Sequence, residues 1–149
     1  MKHYYSYVAF SADTKKLIKS VEGFAPQSIV AIARGGLTLS HAMAEGLEIR
    51  DVQSIRTELY DDTFKRSCLS LFGECAFSHE IQRVLVVDDI ADSGETLAFI
   101  MEYFKKNFPL IEFQSATLFY KETSCYKPDF WVNKTECWIE FFWERDFTL

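Results

Sequence analysis

Apolar positions fall along the chain in two alternating rhythms. Leu17, Ile18 and Val21 share one face of a helix predicted over Ser11–Val21, with Ser11 as its N-cap. Ser28–Ala33 is a short, β-branched apolar run that halts at Arg34-Gly35-Gly36, the pattern of a buried strand entering a tight loop. Helical spacing returns through Leu39, Met43 and Leu47, predicting a helix over Leu37–Leu47. Val52–Thr57 is a second predicted strand. Arg83–Asp88 is the clearest one, because Val84-Leu85-Val86-Val87 would be apolar on both faces. Leu97, Ile100, Met101 and Phe104 then predict a helix over Thr96–Asn107, and Phe113–Tyr120 and Phe130–Val132 complete the strand set. Strand, loop and helix in repetition imply βαβ units. The predicted fold is α/β, a mainly parallel twisted sheet flanked by helices, in a single domain over residues 1–149. In such sheets ligands bind beyond the carboxyl ends of the strands, which directs attention to the residues after Ala33, Thr57, Val87 and Tyr120.

The segment Tyr60–His79 fits neither rhythm. It mixes Asp61-Asp62 and Lys65-Arg66 with Leu69, Leu71 and Phe72. A long irregular excursion of this kind is either a lid or binding loop, or a β-hairpin or subunit contact.

Composition narrows the classes. A chain of 149 residues, 48% apolar and 26% charged, is one domain's worth of sequence with a sizeable core. Fourteen Phe, seven Tyr and three Trp exclude intrinsic disorder. No apolar run approaches the ~20 residues of a membrane span. The opening Met1-Lys2-His3-Tyr4-Tyr5-Ser6 has no apolar signal core, so the expected location is the cytoplasm. Sixteen basic against twenty-two acidic residues give a net charge of −6, without the basic face that nucleic-acid binding requires. Cys68, Cys75, Cys125 and Cys137 form no C-x-x-C pair, and His3, His41 and His79 form no zinc pattern, so the cysteines are expected as reduced thiols.

The chemistry concentrates in Val84–Thr96. A buried strand delivers two adjacent acids, Asp88 and Asp89, to its carboxyl end; because neighbouring strand residues point to opposite sides, both are not expected in the core. After Ile90-Ala91 comes Asp92-Ser93-Gly94-Glu95-Thr96, which opens a helix. Small hydroxyl residues and a glycine there let backbone N–H groups wrap an anion at the positive helix end. One side of the loop thus suits sugar hydroxyls and the other a phosphate. A ribose 5-phosphate needs both. No G-x-x-x-x-G-K-[ST] and no G-x-G occurs, so a triphosphatase P-loop and a dinucleotide fingerprint are both absent.

This stretch resembles the 5-phosphoribosyl-1-pyrophosphate (PRPP) motif of the type I phosphoribosyltransferases. The resemblance extends to Ala33-Arg34-Gly35-Gly36-Leu37, similar to the family's pyrophosphate loop. Tyr60 stands where a flexible lid would begin, about residues 59–79, although Leu59 replaces the usual Ser. Lys121, after a strand ending at Tyr120, matches the lysine with which 6-oxopurine enzymes read the base. Trp138-Ile139-Glu140 with Trp143 resembles the C-terminal hood of xanthine-guanine phosphoribosyltransferases, placed at about 121–149. Similarity is loose over the first twenty-odd residues.

The resemblance implies transfer of ribose 5-phosphate from PRPP to guanine, xanthine or hypoxanthine, giving a nucleoside 5′-monophosphate and pyrophosphate in purine salvage. It implies Mg²⁺ as cofactor and a homo-oligomer. Asp88 and Asp89 would hold the ribose hydroxyls and the metal. Amides of Arg34, Gly35 and Gly36 would hold pyrophosphate, the glycines permitting close approach. Ser93, Gly94, Glu95 and Thr96 would hold the 5′-phosphate, with the Glu95 side chain turned outward. Asp92 would reach the purine N7 and manage its proton. Lys121 would donate to the 6-oxo group, Trp138 would stack on the ring, and Ile139 would offer backbone groups. Glu140 and Asp146 are weaker candidates for the purine edge or a second metal. The aromatic run Phe141-Phe142-Trp143 is a candidate subunit contact. Two other readings stand beside this one: a phosphoribosyltransferase for another base, and a non-catalytic PRPP- or nucleotide-sensing regulator on the same fold.

Overall fold

The computed structural model describes the backbone of residues 1–62 and 65–149, and side chains outside residues 60–67. The first strand, β1 (Lys2–Tyr5), leads into α1 (Tyr7–Val21) and a 3₁₀ turn (Glu22–Phe24). There follow β2 (Ser28–Ile32), α2 (Gly36–Leu47), β3 (Val52–Asp62), β4 (Lys65–Phe72), β5 (Arg83–Val87), β6 (Ile90–Ala91), α3 (Glu95–Asn107), β7 (Glu112–Tyr120), β8 (Phe130–Lys134), β9 (Trp138–Phe141) and the short α4 (Phe142–Arg145). No helix among the described residues is long and apolar enough to cross a membrane.

The central sheet is parallel except at β4, which returns antiparallel along β3. β5 and β6 lie along the same edge of β7 in a single register, Val87 opposite Ala116 and Ile90 opposite Phe119. Asp88 and Asp89 therefore interrupt one strand without shifting it. β8 occupies the other edge of β7. Both faces of the sheet are covered, which explains why the strands read as unbroken apolar runs. Ile29, Leu85 and Val87 point to a core shared with Leu17 and Val21 of α1 and Leu39 and Met43 of α2. Val30, Val84 and Val86 point the other way, to Leu97, Ile100, Met101 and Phe104 of α3.

Two features differ from the sequence expectation. The first helix begins a turn earlier than its apolar spacing indicates. Its N-cap is Ser6, whose hydroxyl accepts from the Ala9 N–H at 3.1 Å, and Ser11 lies inside the helix. The strand β1, unread in the sequence, pairs in parallel with β9 as a separate two-stranded sheet, Lys2 opposite Trp138 and Tyr5 opposite Phe141. The rings of Phe141, Phe142 and Trp143 pack within the chain, against one another and against Phe10, with Phe142 and Trp143 only half-buried. The irregular segment resolves as the β3–β4 hairpin followed by non-repetitive chain. Tyr60, the expected start of the lid, has a side chain outside the described residues, as do residues 63 and 64 altogether.

Candidate active site

The carboxyl ends of β2 and β5, with Thr57 midway along β3, open into a cleft of about 810 Å³. Ile32, Ala33, Arg34 and Gly35 form one wall, and Asp88, Asp89 and Thr96 the other. The loop after β2 and the loop after β5 meet here because nothing larger than glycine stands between them. A Cβ on Gly35 would lie 2.7 Å from the Asp89 carboxyl carbon, and one on Gly36 would lie 3.1 Å from the Val87 carbonyl carbon. The sequence pattern suggests room for a ligand as the reason for the paired glycines. The structure gives a prior one, contact with the acid-bearing strand. The Ala33–Arg34 peptide is cis.

Asp89 is 9% exposed and Asp88 is only partly buried, so the two acids are not both in the core, and both line the cleft. The interruption of the strand makes this possible. Asp88 Oδ1 accepts from the Asp89 N–H at 2.8 Å, folding the first side chain back over the second residue. The Asp89 carbonyl accepts from the N–H groups of Leu118 and Phe119, at 3.0 and 3.1 Å, which fixes the step to β7. Burial, and then the neighbouring Asp89 charge, hold the Asp88 carboxyl well above the ordinary carboxylate range. Burial pushes the Asp89 carboxyl up to about 6; hydrogen bonds from Asp88 and the Ile90 amide oppose this, and the Glu144 charge adds to it. Two such carboxylates beside an open cleft suit a hard cation. No group of three or more His, Cys, Asp or Glu able to hold a metal occurs among the described residues. The donor set thus fits Mg²⁺ held by one or two carboxylates plus substrate oxygens, and not a cage built by protein alone.

Ser93, Gly94, Glu95 and Thr96, expected to hold a phosphate, sit at the start of α3. Gly94 has φ +83°, a left-handed turn that favours glycine, and a Cβ there would lie 2.7 Å from the Tyr126 amide nitrogen. The Ser93 carbonyl accepts from the Cys125 N–H at 2.8 Å, so the loop is backed by residues 124–126. Ser93 Oγ accepts from the Glu95 N–H at 3.3 Å. The Glu95 side chain is exposed, as an acid at an anion site must be. The first amides of α3 lack intrahelical acceptors and leave a donor cluster at the positive helix end.

Lys121 and Asp92 are brought together. The Lys121 Nζ lies 2.8 Å from Asp92 Oδ1, and the Lys121 N–H donates to the Ala91 carbonyl at 3.1 Å. Lys121 also lines a second cleft, of about 540 Å³, with Glu122, Thr123, Lys134, Thr135 and Glu136. Trp138 and Ile139 line neither cleft. Trp138 begins β9 with 59% of its surface exposed, free to present a ring face, whereas Ile139 is buried with only its backbone on offer. Glu140 stands in register with Tyr4, and Asp146 accepts a hydrogen bond from the Tyr4 hydroxyl. Neither lines either of these two clefts. A further cleft of about 760 Å³, at His41, Glu45, Glu48 and Arg50, contains none of the expected residues.

Several cleft residues escape the sequence reading. Thr38, Thr57, Glu144 and Thr148 line the cleft beside the two acids, as does Trp143, which the sequence assigns only to the hood. The sequence marks Thr57 only as the end of a strand. Glu144 and Thr148 carry no local signal, because they arrive there through the pairing of β9 with β1.

Comparison with known proteins agrees with this geometry. Residues 11–147 match the phosphoribosyl transferase domain family. Over 120 residues the chain is 29% identical to the xanthine-guanine phosphoribosyltransferase of Idiomarina loihiensis, covering 79% of this chain and 71% of that one. The xanthine-guanine-hypoxanthine phosphoribosyltransferase of Helicobacter pylori superposes with a TM-score of 0.91 at 34% identity, covering 98% of this chain and 96% of that one. A purine phosphoribosyltransferase from Pyrococcus horikoshii superposes with a TM-score of 0.86 at 27% identity, over 99% and 97% of the two chains. With the family match running through almost the whole chain, including both loops of the cleft and the Asp92–Lys121 pair, this protein belongs to the phosphoribosyl transferase domain family.

Proposed function

We propose that this purine phosphoribosyltransferase transfers the 5-phosphoribosyl group of PRPP to a 6-oxopurine (guanine, xanthine or hypoxanthine) in purine salvage. The observation that carries the base assignment is the Asp92–Lys121 pair at the ends of β6 and β7. A 6-oxopurine presents O6 and N7 side by side on one edge. An ammonium and a carboxylate side by side match that edge in the base tautomer protonated at N7, the lysine donating to O6 and the aspartate accepting from N7–H. The 6-amino group of adenine would meet the lysine donor to donor.

In the reaction the bond from C1′ to the pyrophosphate oxygen breaks as the bond from C1′ to the purine nitrogen forms, and one purine proton leaves. Arg34, Gly35 and Gly36 hold the departing pyrophosphate through backbone amides, and Ser93, Gly94, Glu95 and Thr96 hold the 5′-phosphate. Asp88 and Asp89 fix the ribose hydroxyls and would hold Mg²⁺. When bound, the ion supplies positive charge to the pyrophosphate oxygens. Asp92 takes the proton at N7, general base help worth ~10²–10⁴-fold. Trp138 stacks on the ring and Ile139 offers its backbone to the base. The β3–β4 hairpin is the candidate lid. A homo-oligomer in the cytoplasm belongs to the same reading, supported by exposed Leu37, Val52, Leu59 and Phe72 on α2, β3 and β4.

The test is pyrophosphate release from PRPP and Mg²⁺, with guanine, xanthine, hypoxanthine, adenine, uracil and orotate offered singly. Turnover with the 6-oxopurines alone is expected. Turnover with adenine, uracil or orotate would overturn the base assignment. Silence with every base, while PRPP still bound, would replace the enzyme by a sensor.

A further inference from the structure

The helix α4 is a single turn, Phe142–Arg145, with no side-chain N-cap and no buried residue. One turn does not hold itself in water. Its attachments therefore set its position, and that position matters because Trp143 and Glu144 line the cleft with Asp88 and Asp89. On one side the Trp143 ring stacks on Phe141 at 4.6 Å and meets Phe10 edge-on at 5.6 Å. On the other side stands Tyr4. Its hydroxyl donates to the Asp146 carboxylate, 3.0 and 2.9 Å from the two oxygens, and the Arg145 guanidinium lies 4.6 Å from its ring centre. Tyr4 thus grips the two residues that follow Glu144.

The strand that carries Tyr4 is itself anchored. Tyr5 donates to Asp13 of α1 at 2.7 Å, and the same carboxylate accepts from Asn133 of β8 at 2.9 Å. The Tyr5 ring packs edge-on against Phe119 and Phe141 at 4.8 and 5.7 Å. Tyr4 lines neither cleft.

We propose that Tyr4 is a positioning residue for the PRPP cleft: through Asp146 and Arg145 it latches the one-turn helix α4 so that Trp143 and Glu144 keep their places in the cleft lining beside Asp88 and Asp89. The assignment of the cleft to PRPP rests on the function proposed above; the latch itself does not.

The test is Tyr4→Phe, which keeps the ring, its packing and the Arg145 contact and removes one O–H. The dissociation constant of PRPP, measured by calorimetry with Mg²⁺ and no base, should rise about fivefold, as expected of a slightly misplaced binding wall. In turnover assays KM for PRPP should rise similarly, with kcat and the purine KM changing by less than about twofold. Asp146→Ala should reproduce the loss, Asp146→Asn, which keeps an acceptor oxygen, should restore most of it, and Tyr4→Phe with Asp146→Ala should be no worse than either alone. The amides of Asp146 and Thr148, which donate to the carbonyls of Phe142 and Arg145 at 2.9 and 3.2 Å, should exchange faster in Tyr4→Phe. Unchanged exchange would overturn the latch whether or not the wild-type protein turns over. Faster exchange with unchanged PRPP affinity, or equal losses in kcat and both KM values, would overturn the positioning role. A wild-type protein inactive with every base would instead count against the function proposed above, and the exchange result would still decide the latch.

Discussion

Lys121 Nζ and Asp92 Oδ1 stand 2.8 Å apart, so without a purine the expected base-reading donor and the expected proton acceptor occupy each other. The pair joins the loop after β6 to the end of β7, and only 19% of the lysine side chain is exposed. The ammonium keeps two further donors and the carboxylate a second oxygen for a base. Lys121→Ala should therefore raise the KM for the 6-oxopurine by about tenfold or more while leaving that for PRPP within about twofold. Asp92→Asn should lower kcat by ~10²-fold with little change in PRPP affinity. Steady-state kinetics with each substrate varied in turn separates the two. Equal losses for both ligands in Lys121→Ala would remove its base-reading role.

Gly35 and Gly36 set how closely the two cleft loops approach. Gly35→Ala places a methyl group 2.7 Å from the Asp89 carboxyl carbon, and Gly36→Ala places one 3.1 Å from the backbone of Val87. Each loop must shift in response. A stability loss of about 1–3 kcal/mol is expected in chemical denaturation, with turnover reduced by ~10²-fold. Unaltered stability in Gly35→Ala would mean that the Asp89 side chain moves aside freely.

The acids at the cleft sit there against the interest of the fold. The Asp89 carboxyl, raised to about 6, takes up a proton more readily in the folded chain than in the unfolded one. Between about pH 4 and 6 its contribution to stability therefore falls as pH rises, and above that the full penalty is present. Asp89→Asn removes the penalty. Its melting temperature should exceed that of the wild type at pH 8, and the difference should shrink as pH falls towards 4. Turnover should be lost across the whole range. A variant less stable than wild type at pH 8 would show that the ionised carboxylate is held favourably.

With no group of three metal-ligating side chains among the described residues, Mg²⁺ alone should bind weakly. Calorimetry should show heat for Mg²⁺ at millimolar concentrations only, and much tighter binding once PRPP is present. Chelation should abolish pyrophosphate release, and added Mg²⁺ should restore it. Tight binding of Mg²⁺ without PRPP would point to a protein-built cage.

The sheet was legible in the sequence because both of its faces are covered: runs such as Val84–Val87 could belong only to a buried strand. The cleft loops were legible for a related reason, since glycines and small hydroxyl residues at strand ends have few other uses. The strand β1 leaves no comparable mark. It is four residues long, with a half-buried Tyr4 and a buried Tyr5, too short for a period to register. Glu144 and Thr148 were invisible because their place depends on that unread strand. The resumption of the strand as β6 beyond Asp88 and Asp89 was not legible for a different reason. Alternation holds for an unbroken strand, and here the strand pauses for two residues and resumes in register.

The pairing of β1 with β9 joins Lys2 to Trp138, residues at opposite ends of the chain. Closing so long a loop is entropically unfavourable and slow, so the contact is expected to form after the central strands have assembled. The part of the cleft that Trp143 and Glu144 line would then be the last part of the site to appear. A chain emerging from the ribosome would hold a formed loop at Asp88–Thr96 before Trp143 and Glu144 came to stand beside it. Pulse-labelled hydrogen exchange during refolding should find the amides of β5 and β7 protected before those of β9; simultaneous protection would mean that the two ends meet early.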